Sequence, residues 1–202
     1  MTAATEARRP AWQRAVITMA LVIAGLVVIE IIDLAMNGRL DQNGIVPRRL
    51  SGVDGILWAP LLHADFSHLA ANVVPGAVLG FFLLLARRFG AVTTIVWLVS
   101  GLGVWLTGPS GTVTVGASGV VFGWLAYLLV RGVFNRDPWQ GLGGLAILAV
   151  YGGVLWGVLP QGGGASWQGH LFGAVGGVLA AWMLSDRRGE GDRRGEVPAG
   201  ER

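Results

Sequence analysis

Apolar residues along this 202-residue chain gather into six long runs, at about 15–36, 66–86, 90–107, 115–132, 141–159 and 167–184. A helix needs roughly 20 predominantly apolar residues to cross the hydrocarbon core of a bilayer, so each run predicts a membrane-spanning helix. The pattern therefore predicts an all-α polytopic membrane protein with a six-helix bundle over residues 15–184. Residues 1–14 form a short polar lead. The connector 37–65, NGRLDQNGIVPRRLSGVDGILWAPLLHAD, mixes Gly, Pro, charge and isolated apolar residues and is expected to fold on or into the membrane surface. From Ser185 the tail SDRRGEGDRRGEVPAGER is polar and charge-balanced, which predicts a solvated, disordered segment.

Composition points the same way. Hydrophobic residues make up 53% of the chain, charged residues 13%, and the mean hydropathy is +0.59. The first run is too long for a signal-peptide core and is expected to be retained. There is no cysteine, which excludes disulfides, thiolate metal sites and thiol nucleophiles. The net charge of +3 comes from arginines scattered through loops and tails, an arrangement that fits membrane topology and not nucleic-acid binding.

With six spans, the side holding both termini carries twelve arginines, among them Arg14, Arg87, Arg88, Arg131 and Arg136. The other side carries three: Arg39, Arg48 and Arg49. Basic residues stay on the cytoplasmic side, so both termini are expected to be cytoplasmic, in a cell (plasma) membrane. Trp12, Trp139 and Trp182 then fall near the inner interface, and Trp58, Trp105 and Trp167 near the outer one.

Polar side chains are costly inside a bilayer, and the few retained there are functional candidates. His68 and Asn72 lie in the first turns of the second run, Ser118 in the fourth and His170 in the sixth. These three spans run in the same direction, so the four residues share one depth below the outer surface. Gly119 and Gly123 in one span, with Gly169, Gly173 and Gly177 in another, form four-residue series of the kind that lets helix backbones approach closely. Packing alone would account for those glycines. Pairing the two faces would also bring Ser118 beside His170, a nucleophile with a general base. His68 and Asn72 are i and i+4 neighbours whose N–H groups suit an oxyanion, and Gly116 leaves room for a backbone donor.

Other chemistries fit less well. A soluble hydrolase elbow needs Gly two residues after the serine, where this chain has Val120. A metal site could draw on His63, His68 and His170, but the five-residue spacing of the first two does not place them on one helical face, and no carboxylate or thiolate stands at ligand spacing. His63 reads instead as a connector residue ordering the entrance to the second span. Glu30 and Asp33 suggest a transporter's proton path, yet the polar groups cluster at one face and no repeat is evident; they are expected to face the connector or a neighbouring helix, pairing with one of the connector's arginines. A membrane scaffold without catalytic activity would leave Ser118 and His170 without a purpose.

The chain resembles the rhomboid intramembrane serine proteases through GASG at 116–119, HLAAN at 68–72 and GHLFGAVGG at 169–177, in family order on the expected spans. IVPRRLSGVDGILWAPLLHA is similar to the membrane-lying first loop of bacterial members. The resemblance implies a Ser118 nucleophile, a His170 base without an aspartate, and an oxyanion site from His68, Asn72 and the backbone from Gly116 through Ala117 to Ser118. It implies a single-pass transmembrane protein as substrate, the lipid bilayer as surroundings, and no cofactor or metal. Four residues after the serine, where many members carry tyrosine, this chain has Phe122.

Overall fold

The computed structural model describes residues 9–160 and 166–185. The expected disordered tail beyond Ser185 and the first eight residues lie outside the described residues. The helices are α1 (Ala11–Ala35), a short α2 (Gly55–Trp58), α3 (Phe66–Leu85), α4 (Phe89–Thr107), α5 (Ser118–Asn135), α6 (Pro138–Tyr151) and α7 (Trp167–Met183). By length and composition, α1, α3, α4, α5 and the segment Pro138–Val158 can cross a membrane. The sixth predicted span, α7, has 17 residues, the lower end of the range for a transmembrane helix.

The exterior is apolar. Leu21, Val74, Val150 and Trp139 are among many exposed large hydrophobic side chains, an arrangement that suits a lipid solvent, where the backbone is satisfied within each helix. Inside, α5 is the central element and packs on α7, α6, α4 and α3, while α1 packs on α3. Leu79, Leu83, Val92, Val96, Leu125 and Leu128 form the apolar core.

At the α5–α7 crossing, glycines meet backbone to backbone. A Cβ on Gly173 would collide with the Gly119 carbonyl, and one on Gly177 with the Gly123 carbonyl. The small-residue series therefore forms a contact that any larger side chain would force apart. Ser100 of α4 joins the same crossing by donating its hydroxyl to the Gly169 carbonyl at 2.9 Å.

Two spans differ from the apolar pattern at their ends. The fourth run predicts a helix from about 115, but the helix starts at Ser118, because Thr114 exchanges backbone hydrogen bonds with Ile45 and Gly116 turns the chain at φ +115°. The fifth changes at Tyr151 from α-helix to a 3-10 segment, Gly152–Val158. Hydropathy does not distinguish these two helical forms.

The connector folds into short helical turns held against α4. The Trp97 indole donates to the Ile56 carbonyl at 2.7 Å and the Trp105 indole to the Arg49 carbonyl at 3.0 Å. Arg48 donates through its backbone to Trp105 and through its guanidinium to the Gly108 carbonyl at 2.7 Å. Asp33 does face the connector, but the expected arginine pairing gives way to a backbone bond: its carboxylate accepts the Leu40 N–H at 2.6 Å.

Candidate active site

Ser118 is the first residue of α5, reached through a backbone that only glycine adopts readily. The close α5–α7 crossing brings His170 alongside, and the Ser118 hydroxyl stands 2.9 Å from His170 Nε2. His170 Nδ1 lies 2.8 Å from the carbonyl of Gly157. A carbonyl can only accept, so this contact places the proton on Nδ1 and leaves Nε2 to accept from the serine hydroxyl. A backbone oxygen thus fixes the tautomer, and no carboxylate is needed. The imidazole also stacks on Phe122, with ring centroids 4.1 Å apart and planes 5° from parallel.

Gly157 carried no signal in the sequence. It sits in the 3-10 segment after α6, and a Cβ there would stand 2.8 Å from Phe122 and 3.2 Å from His170 Nδ1. The absence of a side chain lets this backbone reach the imidazole.

On the opposite wall, α3 presents His68 and Asn72. Asp65 caps the helix by accepting the His68 N–H at 2.7 Å. His68 Nδ1 accepts from the Ala64 N–H at 3.4 Å, which leaves Nε2 as the protonated nitrogen of the neutral ring. That nitrogen faces Gly116, where a Cβ would lie 2.6 Å from it and 3.7 Å from Asn72 Nδ2. Asn72 is buried and gives one amide hydrogen to the His68 carbonyl at 3.0 Å, and it carries a second.

Of the expected backbone donors, two are already engaged. The Gly116 N–H is used by the Ala59 carbonyl at 2.8 Å, and the Ala117 N–H points to His63 Nε2 at 3.4 Å. Neither is available to an oxyanion. The candidate backbone donor is the Ser118 N–H, which as a first-turn amide has no partner within its helix. Gly116 contributes space for His68 and not a hydrogen bond.

His63 is therefore more than an entrance residue. It is 1% exposed and packs edge-on against His68, centroids 5.2 Å apart. Burial, reinforced by electrostatic coupling to His68 and opposed by a backbone hydrogen bond at Leu61, lowers its pKa to about 4. A neutral ring can accept the Ala117 N–H. The residue preceding the serine is thereby held by a histidine 54 positions away.

Ser118, His170, His68 and Asn72 all line one open cavity of about 690 Å³ between α3, α5, α7 and the loop 109–115. Among the described residues, no group of three or more His, Asp or Glu is placed to hold a metal.

The fold is that of a polytopic, all-helical membrane protein with a hydroxyl–imidazole pair in a recess near one end of the bundle. The rhomboid domain model matches residues 51–187, and the chain belongs to the rhomboid family. An uncharacterized protein of Mycobacterium tuberculosis is 49% identical over 188 residues, covering 88% of this chain and 78% of its own length. One of Mycobacterium bovis matches to the same extent. A third, of Mycobacterium leprae, is 45% identical over 188 residues, covering 88% of this chain and 74% of its own.

Proposed function

We propose that this rhomboid-family chain is an intramembrane serine endopeptidase acting through a Ser118–His170 dyad. The observation that carries the reading is the 2.9 Å contact between Ser118 Oγ and His170 Nε2, with Nδ1 anchored on Gly157. Ser118 Oγ attacks the scissile carbonyl carbon while its proton passes to His170 Nε2. The negative charge forms on the former carbonyl oxygen, where His68 Nε2–H, the second Asn72 amide hydrogen and the Ser118 N–H can donate to it. His170 returns the proton to the leaving amine as the C–N bond breaks. A water from the cavity, deprotonated by His170, then releases the acyl group and regenerates the serine.

The substrate is a single-pass membrane protein whose helix unwinds at the cut, since a helix in lipid keeps all its backbone bonds internal. The twelve-to-three distribution of arginines supports cytoplasmic termini and a recess opening toward the outer face. The chemistry requires no cofactor.

The test is cleavage of a transmembrane model substrate by the detergent-purified protein. Ser118→Ala and His170→Ala are each expected to lower turnover on the order of 10⁴-fold or more. Equal product from both variants and the wild type rules the dyad out.

A further inference from the structure

A second cavity, of about 390 Å³ and unconnected with the proposed chemistry, lies at the far end of the bundle between the α3–α4 turn, the last turns of α5 and the start of α6. Its size falls within the roughly 300–1,000 Å³ typical of small-ligand sites. Two guanidiniums line it, Arg88 and Arg131, together with Tyr127, Asn135 and Gln140. Among the described residues, no carboxylate lines it. Arg131 and Asn135 stand 13 and 17 positions beyond Ser118 on α5, about 20–25 Å along the axis. The cavity thus opens near the opposite membrane face from the recess.

Arg131 Nε is buried without a hydrogen-bond partner among the described residues. The nearby carboxylate of Asp137 is occupied in capping α6, accepting the Trp139 and Gln140 N–H groups and the Gln140 side-chain amide. Those bonds, the Gln140 backbone bond first, hold Asp137 below the usual carboxylate range, with Arg131 adding to the effect. The rim is apolar: Phe82 and Leu85 line the same cavity and are exposed toward the bundle exterior. A cationic, hydrogen-bonding floor beside an exposed apolar wall matches an anionic head group attached to acyl chains. A free anion would have no use for the wall. Trp139, on the first turn of α6, is 79% exposed, as befits a residue at the head-group level.

We propose that this cavity binds the phosphodiester of an anionic phospholipid of the inner leaflet, with Arg88 and Arg131 on the phosphate and Phe82 and Leu85 along the acyl chain. Basic pockets between transmembrane helices on the cytoplasmic side are suited to such head groups, and guanidinium–phosphate hydrogen bonds are among the stronger polar contacts.

The test uses the full chain in neutral detergent, read by native mass spectrometry and thermal unfolding. Dioleoylphosphatidylglycerol is expected to remain bound and raise the unfolding midpoint, while dioleoylphosphatidylcholine does neither. Arg131→Gln and Arg88→Gln should each weaken phosphatidylglycerol retention at least about tenfold. Arg39→Gln, which removes the same charge from the connector, should not. If Arg131→Gln does not fold, Arg88→Gln carries the comparison. Equal retention of the two lipids, or equal losses in Arg39→Gln and the cavity variants, overturns the site. An equal midpoint rise with inorganic phosphate alone, lost in Arg88→Gln, overturns the lipid and assigns the cavity to a free anion.

Discussion

The imidazole of His170 lies flat on the ring of Phe122, centroids 4.1 Å apart and planes 5° from parallel. The stack restricts rotation of the imidazole about the axis that would carry Nε2 away from Ser118. Phe122→Ala is expected to lower kcat about 100-fold, the scale of a misplaced catalytic group. Phe122→Tyr keeps the ring and should keep most of the activity. Equal losses in the two variants, measured with a transmembrane substrate, would show that stacking is not what the site requires.

Gly157 orients the same ring from its other edge. In Gly157→Ala the new methyl would press on Phe122 and His170, displacing the carbonyl that accepts Nδ1–H. Turnover should fall about 10- to 100-fold with KM little changed. A larger effect on KM than on kcat would place Gly157 in substrate binding instead.

Asn72→Ala removes one side-chain donor from the proposed oxyanion site. Turnover is expected to fall on the order of 10- to 1,000-fold. Because Asn72 also bonds the His68 carbonyl, the unfolding midpoint must be followed in parallel. Unchanged turnover in a folded variant removes Asn72 from the chemistry.

The α5–α7 crossing should tolerate no added carbon. A Cβ at Gly173 would strike the Gly119 carbonyl, and Gly173→Ala is expected to cost about 1–3 kcal/mol as an overpacked core does. At Gly141 in α6 an added methyl would meet no heavy atom within 4 Å, and Gly141→Ala should gain up to about 1 kcal/mol from helix propensity. Thermal unfolding in one detergent compares them directly.

His63 predicts a pH dependence of stability. Its pKa is about 4 in the fold, against about 6.5 for an unperturbed histidine. The unfolded chain therefore takes up this proton first as pH falls. The stabilising contribution is complete above pH 6.5 and is lost progressively down to about pH 4, on the order of 2 kcal/mol. His63→Gln retains an acceptor for the Ala117 N–H and should flatten that part of the midpoint-against-pH curve. An unchanged slope would assign the acid sensitivity to other groups.

Much of this molecule is legible in the one-dimensional pattern. Each span had to appear as a long apolar run, because a backbone crossing lipid must satisfy its own hydrogen bonds and shed polar side chains. For the same reason Ser118, His68, Asn72 and His170 stood out. The glycine series announced a close helix contact, since removing a side chain is the means by which two backbones approach.

The tertiary structure decided what depends on backbone atoms and on distant partners. The Gly157 carbonyl orients His170, yet a carbonyl is present in every residue and carries no identity to read. Ala59 and His63 take the N–H groups of Gly116 and Ala117, and Leu40 takes the Asp33 carboxylate. Each of these replaced an expected partner of the right chemistry with a nearer one. Arg88 and Arg131 looked like separate markers of topology, and only the packing of α3, α5 and α6 turns them toward one cavity. Sequence determined which groups would be expensive to place in a membrane; the fold determined which of them meet, because hydrogen bonds form over about 3 Å and that proximity is set by helix crossings.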